Sequence, residues 1–167
     1  TRSLHDALPI LGEAIQSVLR QTLTDWELVI VDDGSTDGTV DVARSFTDPR
    51  IRILQNESNI GVAAARNTLL AEARGEFCAW QDADDLMLPT RLIQQVDLMR
   101  KYPVLTACST WASLIDESGQ VWGYRRTPES PSSRDFLRGL QLVHAASLIS
   151  RAALSSTCPF DVSLHRT

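Results

Sequence analysis

Residues 27–38 read ELVIVDDGSTDG, and this stretch decides the fold. Residues 27–31 form a short, mostly β-branched run, which is typical of a strand buried on both faces of a parallel sheet. Asp, Gly, Ser and Thr follow, and these residues favour a loop that leads into a helix. The stretch therefore predicts a buried strand that ends in acidic side chains, then a loop and a helix.

The alternation of strand and helix continues along the chain. Helices are expected at residues 10–21, 40–46 with Ser35, Thr36 or Asp37 as N-cap, 59–71 with Gly75 as a left-handed terminator, 91–101 and 136–140. Strands are expected at residues 51–54, 77–80 and 143–149, and a β-hairpin at 104–115 and 120–125. Short strands between helices predict one α/β domain over residues 10–167, with a mostly parallel sheet and helices on both faces.

Composition excludes several classes of protein. The net charge is −5 and the basic residues are scattered, so nucleic acid is not an expected partner. No apolar run reaches the roughly 18 residues that cross a bilayer, and no signal peptide opens the chain. We therefore expect a cytoplasmic protein without a transmembrane segment in this chain, either free or peripheral at the inner face of the plasma membrane.

Two carboxylates one residue apart follow the strand at residues 77–80, in the segment Asp82-Ala83-Asp84. Hard cations such as Mg²⁺ and Mn²⁺ take oxygen ligands, and carboxylates at a strand end leave coordination positions open for phosphate oxygens. Alternatively, Asp82, Asp84 and Asp85 are loop acids that precede the next helix, whose N-terminus attracts negative charge.

A second acidic pair, Asp32 and Asp33, ends the strand at residues 27–31. These carboxylates can accept a hydrogen bond from a nucleobase N–H or a ribose hydroxyl, and Gly34 permits a close backbone approach. We expect both acids to serve ligand recognition rather than fold stability, with a helix-capping turn as the alternative. On the helix at residues 59–71, Arg66 can pair with a diphosphate and Asn67 can hold a loop backbone.

Four motifs in this order resemble family 2 glycosyltransferases: VIVDDGSTDGT at 29–39, NIGVAAARN at 59–67, ARGEF at 73–77 and DADD at 82–85. The resemblance runs from about Ile10 to Leu98. It implies a GT-A, Rossmann-like fold and an inverting, metal-dependent transfer from a nucleotide-diphosphate sugar, usually UDP-linked, to an acceptor hydroxyl. The acceptor would be a glycan, lipid or protein, as in polysaccharide or glycoconjugate biosynthesis.

The resemblance also implies roles for individual residues. Asp32 or Asp33 would contact the uracil, Arg66 the donor phosphates and Asp82 the ribose. The residues expected to bind the nucleotide sugar are Asp32, Asp33, Gly34, Ser35, Arg66, Asp82, Ala83 and Asp84. Asp84 is the expected ligand of Mn²⁺ or Mg²⁺, with Asp82 and then His144 as weaker candidates.

The sequence departs from the family's pattern at both ends. The family's apolar first strand and its nucleotide-binding loop are replaced by residues 1–9, which resemble a translated sequencing adapter and are excluded from the domain. The general base, usually part of an acidic pair, is expected beyond Thr167, because the spacing does not favour Asp161. We therefore expect an incomplete GT-A domain that is inactive and poorly stable by itself.

Two other functions are weighed against a glycosyltransferase. A nucleotide-binding module that has lost catalysis would retain the same visible motifs. A strand followed by Asp82-x-Asp84 is also similar to haloacid-dehalogenase-type phosphatases, but those place the motif on the first strand. Their downstream lysine has only Lys101 as a candidate here.

Overall fold

The structure is a computed structural model, and it describes residues 7–132, 134–135, 143–155 and 160–163. The helix expected at 136–140 and residues 1–6 lie outside this range. The elements in chain order are α1 (Ala7–Leu19), β1 (Leu28–Asp32), α2 (Thr39–Arg44), β2 (Ile51–Gln55), α3 (Val62–Glu72), β3 (Phe77–Ala79), α4 (Arg91–Lys101), β4 (Ala107–Ser109), β5 (Ala112–Ile115), β6 (Val121–Arg125), a 3-10 turn (His144–Ala146), β7 (Ser147–Ser150) and α5 (Arg151–Ser155). The α/β class is confirmed.

The β1–α2–β2 unit has the expected parallel arrangement. β1 pairs with β2 from Leu28 opposite Ile51 to Asp32 opposite Gln55. α2 begins after Gly38 without a side-chain cap, although the Thr39 N–H donates to the Asp37 carboxylate at 3.0 Å. The acidic end of β1 therefore leads directly into a loop and a helix, as the sequence predicts.

The parallel part of the sheet is smaller than the sequence pattern predicts. In the described ranges, β1 and β2 are the one parallel pair, while β7 runs antiparallel between β3 and β4. Parallel neighbours need a crossover, usually a helix, and the regular strand–helix alternation stops after α4. The strands that follow α4 pair antiparallel for this reason.

The prediction of a single strand at residues 104–115 is wrong, because this segment forms two strands, β4 and β5. Its first part, β4, pairs with β7, while β5 pairs with β6 in a hairpin. The Thr110 N–H donates to the Ala146 carbonyl oxygen at 3.2 Å, and the chain changes sheets there. The hairpin turn is closed by the Asp116 carboxylate, which accepts from Ser118 and Gln120 amides at 2.9 and 3.0 Å.

The end of α3 also differs from expectation. The helix stops at Glu72, and Ala73 is already extended, with φ −65° and ψ 131°. Gly75 has no positive φ, so it is not a left-handed terminator. Its carbonyl oxygen instead accepts from Arg151 Nε at 2.6 Å, which ties this loop to α5.

The core lies where α4 meets α1 and β7. One cluster joins Val18, Met87 and Leu92, and the other joins Val96, Met99 and Leu148. By contrast, α3 buries no residue. No helix in the described residues is long and apolar enough to span a membrane.

A cavity of about 590 Å³ separates β1 from β3 and is lined by residues of both strands. In the described part of the chain, β1 pairs only with β2 and β3 only with β7, so the strand edges at this cavity are unpaired. Leu28 to Val31 are consequently half-buried, and the expectation that β1 is buried on both faces is wrong.

Candidate functional site

The two acidic segments begin 50 residues apart in the chain, at Asp32 and Asp82, and both contribute to one cavity, the second through Ala83 and Asp84. The polar residues that line it are Asp32, Asp33, Ser35, Thr39 and Asp84. The cavity has a volume of about 450 Å³ and is otherwise lined by apolar residues of α1, α2, β1 and β2. A concave apolar site with a few convergent polar groups is typical of small-molecule binding. The cavity lies beyond the carboxyl ends of β1 and β3, where the sequence predicts a site, and ligand binding there stays a prediction.

Asp32, which lines this cavity, has an unused hydrogen-bond acceptor. The residue is 6% exposed, and its Oδ2 accepts from the Ser35 amide at 3.3 Å. Oδ1 is buried and has no partner among the described residues. A buried acceptor without a donor is costly, so this oxygen suits an N–H or O–H group of a ligand.

Asp33, in contrast, is occupied by the protein itself. Oδ1 accepts from Asn56 Nδ2 and the Ile60 amide, both at 2.9 Å, and Oδ2 accepts from the Gly61 amide at 2.9 Å. These bonds, led by the one from Ile60, hold the pKa of the Asp33 carboxyl below its usual value. Asp33 therefore joins the loop after β1 to the loop before α3, an arrangement that favours a part in fold stability over the expected role in ligand recognition alone.

Gly34 is required by the chain, whether or not a ligand approaches it. Its φ is +78°, and a Cβ there would lie 2.7 Å from the Asn59 nitrogen and 2.8 Å from the Ser58 carbonyl carbon. The close backbone approach expected at Gly34 is thus made by the neighbouring loop. Any contact of Gly34 with a ligand stays a prediction.

The second acidic segment forms an exposed turn, in which the Asp85 N–H donates to the Asp82 carbonyl oxygen at 3.2 Å. Burial, followed by the charges of Asp84 and Asp82, raises the pKa of Asp85. The three carboxylates are therefore close enough to repel one another, and a divalent cation would relieve that repulsion.

These oxygen donors fit a cation that keeps open coordination positions. Within the described ranges, no group of three or more His, Cys, Asp or Glu side chains is arranged to enclose a metal. Mg²⁺ commonly binds one or two carboxylates and completes its shell with phosphate oxygens and water. Asp82 and Asp84 are suited to that arrangement and not to an all-protein cage.

Arg66, Trp80, His144 and Phe160 form a cluster outside the walls of the 450 Å³ cavity. The Arg66 guanidinium lies 6.0 Å from the Trp80 ring centre and 5.6 Å from that of Phe160. The His144 and Trp80 ring centres are 5.0 Å apart. Burial, then the charge of Arg66, lowers the pKa of His144, while Asp82 acts in the opposite direction. Arg66 and His144 thus share an electrostatic environment with Asp82, and the lowered pKa of His144 favours its neutral form.

Asn67 holds a loop backbone, as the sequence predicts. Its Nδ2 donates to the Phe160 carbonyl oxygen at 2.9 Å, and its Oδ1 accepts from the Phe160 amide at 2.7 Å. Sequence reasoning did not identify Trp80 or Phe160. Trp80 immediately precedes Gln81 and the acidic segment, which is a usable signal, whereas Phe160 lies 93 residues from Asn67 and gives none.

Sequence comparison places these features in a known family. The model of "Glycosyl transferase family 2" matches residues 4–155. EpsE of Bacillus subtilis, a glycosyltransferase by name, is 36% identical over 160 residues, which are 94% of this chain and 57% of EpsE. WfgD of Escherichia coli, named a UDP-Glc:alpha-D-GlcNAc-diphosphoundecaprenol beta-1,3-glucosyltransferase, is 41% identical over 97 residues, or 58% of this chain and 38% of WfgD. The chain spans about half the length of these relatives.

Solved structures show the same architecture. The mannosyltransferase PcManGT from Pyrobaculum calidifontis, in complex with GDP-Man and Mn²⁺, matches with a TM-score of 0.70 and 23% identity, covering 94% of this chain and 45% of that one. TarS of S. aureus, residues 1–349, matches with a TM-score of 0.63 and 23% identity, covering 89% of this chain and 45% of that one. The family match over residues 4–155 excludes the phosphatase alternative. The chain belongs to glycosyl transferase family 2, and its fold is that of the GT-A glycosyltransferases.

Proposed function

We propose that this chain binds the nucleotide diphosphate sugar, with UDP as the nucleotide and Mn²⁺ or Mg²⁺ as the ion, in an inverting glycosyl transfer. The observation that carries the proposal is the cavity shared by Asp32 and Asp84, in which Asp32 Oδ1 has no donor. WfgD, by name, uses UDP-Glc, and PcManGT was solved with GDP-Man and Mn²⁺. Both names support a nucleotide sugar as the donor, but the nucleobase is uracil in the first and guanine in the second.

Each side chain has a role that follows from its position. Asp32 Oδ1 accepts a hydrogen bond from the base or the ribose, and Asp33 orders the loop that closes this side of the cavity. Asp84, with Asp82 beside it, holds the ion. When bound, the ion neutralises the negative charge that develops on the departing nucleoside diphosphate. The Arg66 guanidinium supplies a further positive charge for the phosphates, and neutral His144 is the weakest candidate ligand of the ion.

The proton acceptor for the attacking hydroxyl is proposed to lie outside these 167 residues. Asp161 is a poor candidate, because its Oδ1 accepts from the Ser163 hydroxyl at 2.7 Å and from the Ser163 amide at 2.8 Å. These bonds, the hydroxyl first, lower the pKa of Asp161 and weaken it as a base. We expect the chain alone to bind donor and not to transfer sugar. A cytoplasmic location stays a prediction.

Isothermal titration calorimetry tests the donor site. UDP and GDP are titrated into the chain with Mn²⁺ or with a chelator, and into the Asp84→Asn and Asp97→Asn variants. Asp97 is an exposed acid on α4 and serves as the matched control. Chelation and Asp84→Asn should each weaken UDP binding by at least about tenfold, or about 1.4 kcal/mol, and Asp97→Asn should not.

Equal affinity for UDP with Mn²⁺, with chelator and after Asp84→Asn would reject the metal role. Tighter binding of GDP than of UDP would reject the choice of base and leave the rest of the site in place.

A further inference from the structure

Arg91 is a buried cation at the start of α4, next to the second acidic segment. It is 8% exposed. Its Nη2 donates to the carbonyl oxygens of Trp80 at 3.0 Å and Ser147 at 3.2 Å, its Nη1 to Gln81 Oε1 at 3.2 Å and its Nε to Gln95 Oε1 at 3.1 Å. All four acceptors are neutral. The charge of Asp85 favours the guanidinium, but among the described residues no carboxylate accepts a hydrogen bond from it. Burying a guanidinium on neutral acceptors is costly, and an apolar side chain of similar size would fill the space at lower cost.

The bonds of Arg91 reach both ends of the Asp82–Asp84 turn. The Trp80 carbonyl lies two residues before Asp82 and accepts directly from Arg91. Gln81 accepts from Arg91 and donates through Nε2 to the carbonyl oxygen of Asp85, just after the turn. Arg91 and Gln81 together form a brace that spans the turn.

The carboxylates themselves have no such support. Asp82 and Asp84 are exposed, and in the described residues neither side chain accepts a hydrogen bond from the protein. Three adjacent like charges favour a more open turn, because separation lowers their repulsion. The relative position of the two carboxylates therefore depends on the backbone that the brace holds.

The brace also fixes the turn relative to β7. The Ser147 carbonyl oxygen accepts from Arg91 and from the Trp80 amide, the latter at 3.1 Å. Gln95, a partner of Arg91, donates through Nε2 to the Ala146 carbonyl oxygen at 2.9 Å. The acidic turn is thus aligned with the His144–Ala146 turn on the neighbouring strand.

We propose that Arg91 and Gln81 are positioning residues, which hold the Asp82–Asp84 turn in the shape that binds the ion and the diphosphate. The proposal rests on the proposed function of this site. It differs from a purely structural role, in which Arg91 would only join α4 to the sheet and Gln81 would contribute nothing to binding.

The test compares Gln81→Met, Arg91→Lys and Arg91→Met with the control Arg100→Met. Arg100 lies on the same helix, is exposed and pairs with Glu76 at 3.0 Å. Hydrogen–deuterium exchange measures the opening of the turn without ligand, with the Asp85 amide as reporter, and Mn²⁺ electron paramagnetic resonance measures ion binding in the presence of UDP. Thermal melts measure the fold.

Gln81→Met should speed exchange at Asp85 and weaken Mn²⁺ binding by about tenfold each, with the melting temperature nearly unchanged, because two hydrogen bonds at the rim are lost. Arg91→Lys should restore part of the binding lost in Arg91→Met, since an ammonium reaches some but not all of the four acceptors. Arg100→Met should match the unsubstituted chain.

Unchanged exchange and unchanged Mn²⁺ binding in Gln81→Met would overturn the brace, even if Arg91→Met fails to fold. Faster exchange with unchanged Mn²⁺ binding would also overturn the positioning role. If the unsubstituted chain binds no Mn²⁺ with UDP, the proposed function fails, and the positioning role fails with it, while the exchange data still show whether the brace orders the turn.

Discussion

The helices α3 and α4 each have eleven residues and are held in different ways. α4 buries Arg91, Leu92, Gln95, Val96 and Met99. α3 buries none. The α4 half of the molecule, with β3 and β7, therefore gains stability from the apolar packing of its helix, whereas in the half with β1 and β2 the helix α3 contributes no buried side chain.

The difference shows how each half supports its part of the cavity. In the α4 half, the buried Arg91 side chain donates hydrogen bonds to Trp80 and Gln81, which precede the acidic turn. In the half with β1 and β2, the Asp33 carboxylate accepts hydrogen bonds from Asn56, Ile60 and Gly61 and so joins two loops. Asp33 thus accepts hydrogen bonds from the protein with both carboxylate oxygens, whereas Asp32 Oδ1 has no donor among the described residues.

The largest expected effect tests the packing difference. Leu148 is 2% exposed and lies between Val96 and Met99, so Leu148→Ala should cost about 3 kcal/mol of unfolding free energy. Leu69, on α3, lines the 590 Å³ cavity and is partly exposed, so Leu69→Ala should cost less than about 1 kcal/mol. Denaturant unfolding of both variants measures the difference. Equal losses would remove the distinction between the two halves.

An intermediate effect separates the two acids at the end of β1. Asp33→Ala loses three hydrogen bonds at a partly exposed site, which should cost about 1–2 kcal/mol and speed amide exchange at Ile60 and Gly61. Asp32→Asn keeps its shape and loses no strong bond, so it should leave stability nearly unchanged while weakening UDP binding. Thermal melts and calorimetry measure the two quantities. A stable Asp33→Ala variant would show that the loop is held by other contacts.

The smallest expected effect is a dependence of stability on pH, which has opposite signs in the two halves. The pKa values of Asp33 and Asp48 are lowered, the first chiefly by the Ile60 amide and the second, to about 2, by hydrogen bonds from Arg50. A lowered folded-state pKa gives stability that is present above the ordinary value and lost as pH falls through the folded one, here below about pH 4. The pKa of Asp85 is raised, so its protonation favours the folded state as pH falls.

Hydrogen exchange at pH 3 and pH 6 checks this expectation. Amides of β1 and β2 should lose protection at pH 3 more than amides of α4 do. Asp33→Asn should remove part of this dependence. Greater loss in α4 at pH 3 would contradict the assignment of acid sensitivity to the β1–β2 half.

Features that depend on local periodicity were predictable from the sequence. The bounds of α4 match the expected residues 91–101, and the acidic segments lie at strand ends as expected. Asn67 was correctly expected to hold a loop. For α4 and the strand ends, the pattern is contained within a few residues, so neighbouring side chains determine it. The partner of Asn67, Phe160, lies 93 residues away and was not identified.

Features that depend on partners distant in the chain were not predictable. The Asp33 carboxylate accepts a hydrogen bond from a residue 27 positions away, and the Arg91 bond to Ser147 spans 56 residues. The change of sheets at Thr110 depends on pairing with residues that follow the hairpin. The residues around Asp33 and Arg91 in the sequence do not indicate whether these side chains contact a ligand, solvent or another loop. Only the tertiary structure distinguishes these alternatives.

The edges of β1 and β3 that have no pairing partner among the described residues have a practical consequence for work with this chain. A strand edge with free N–H and C=O groups is a template for pairing with another molecule, and adjacent apolar side chains make such pairing more favourable. We expect aggregation that rises steeply with protein concentration and that starts at these two strands. Charged substitutions at the cavity rim, such as Ala73→Lys, should raise solubility without touching the acidic site, and light scattering during concentration would measure the gain.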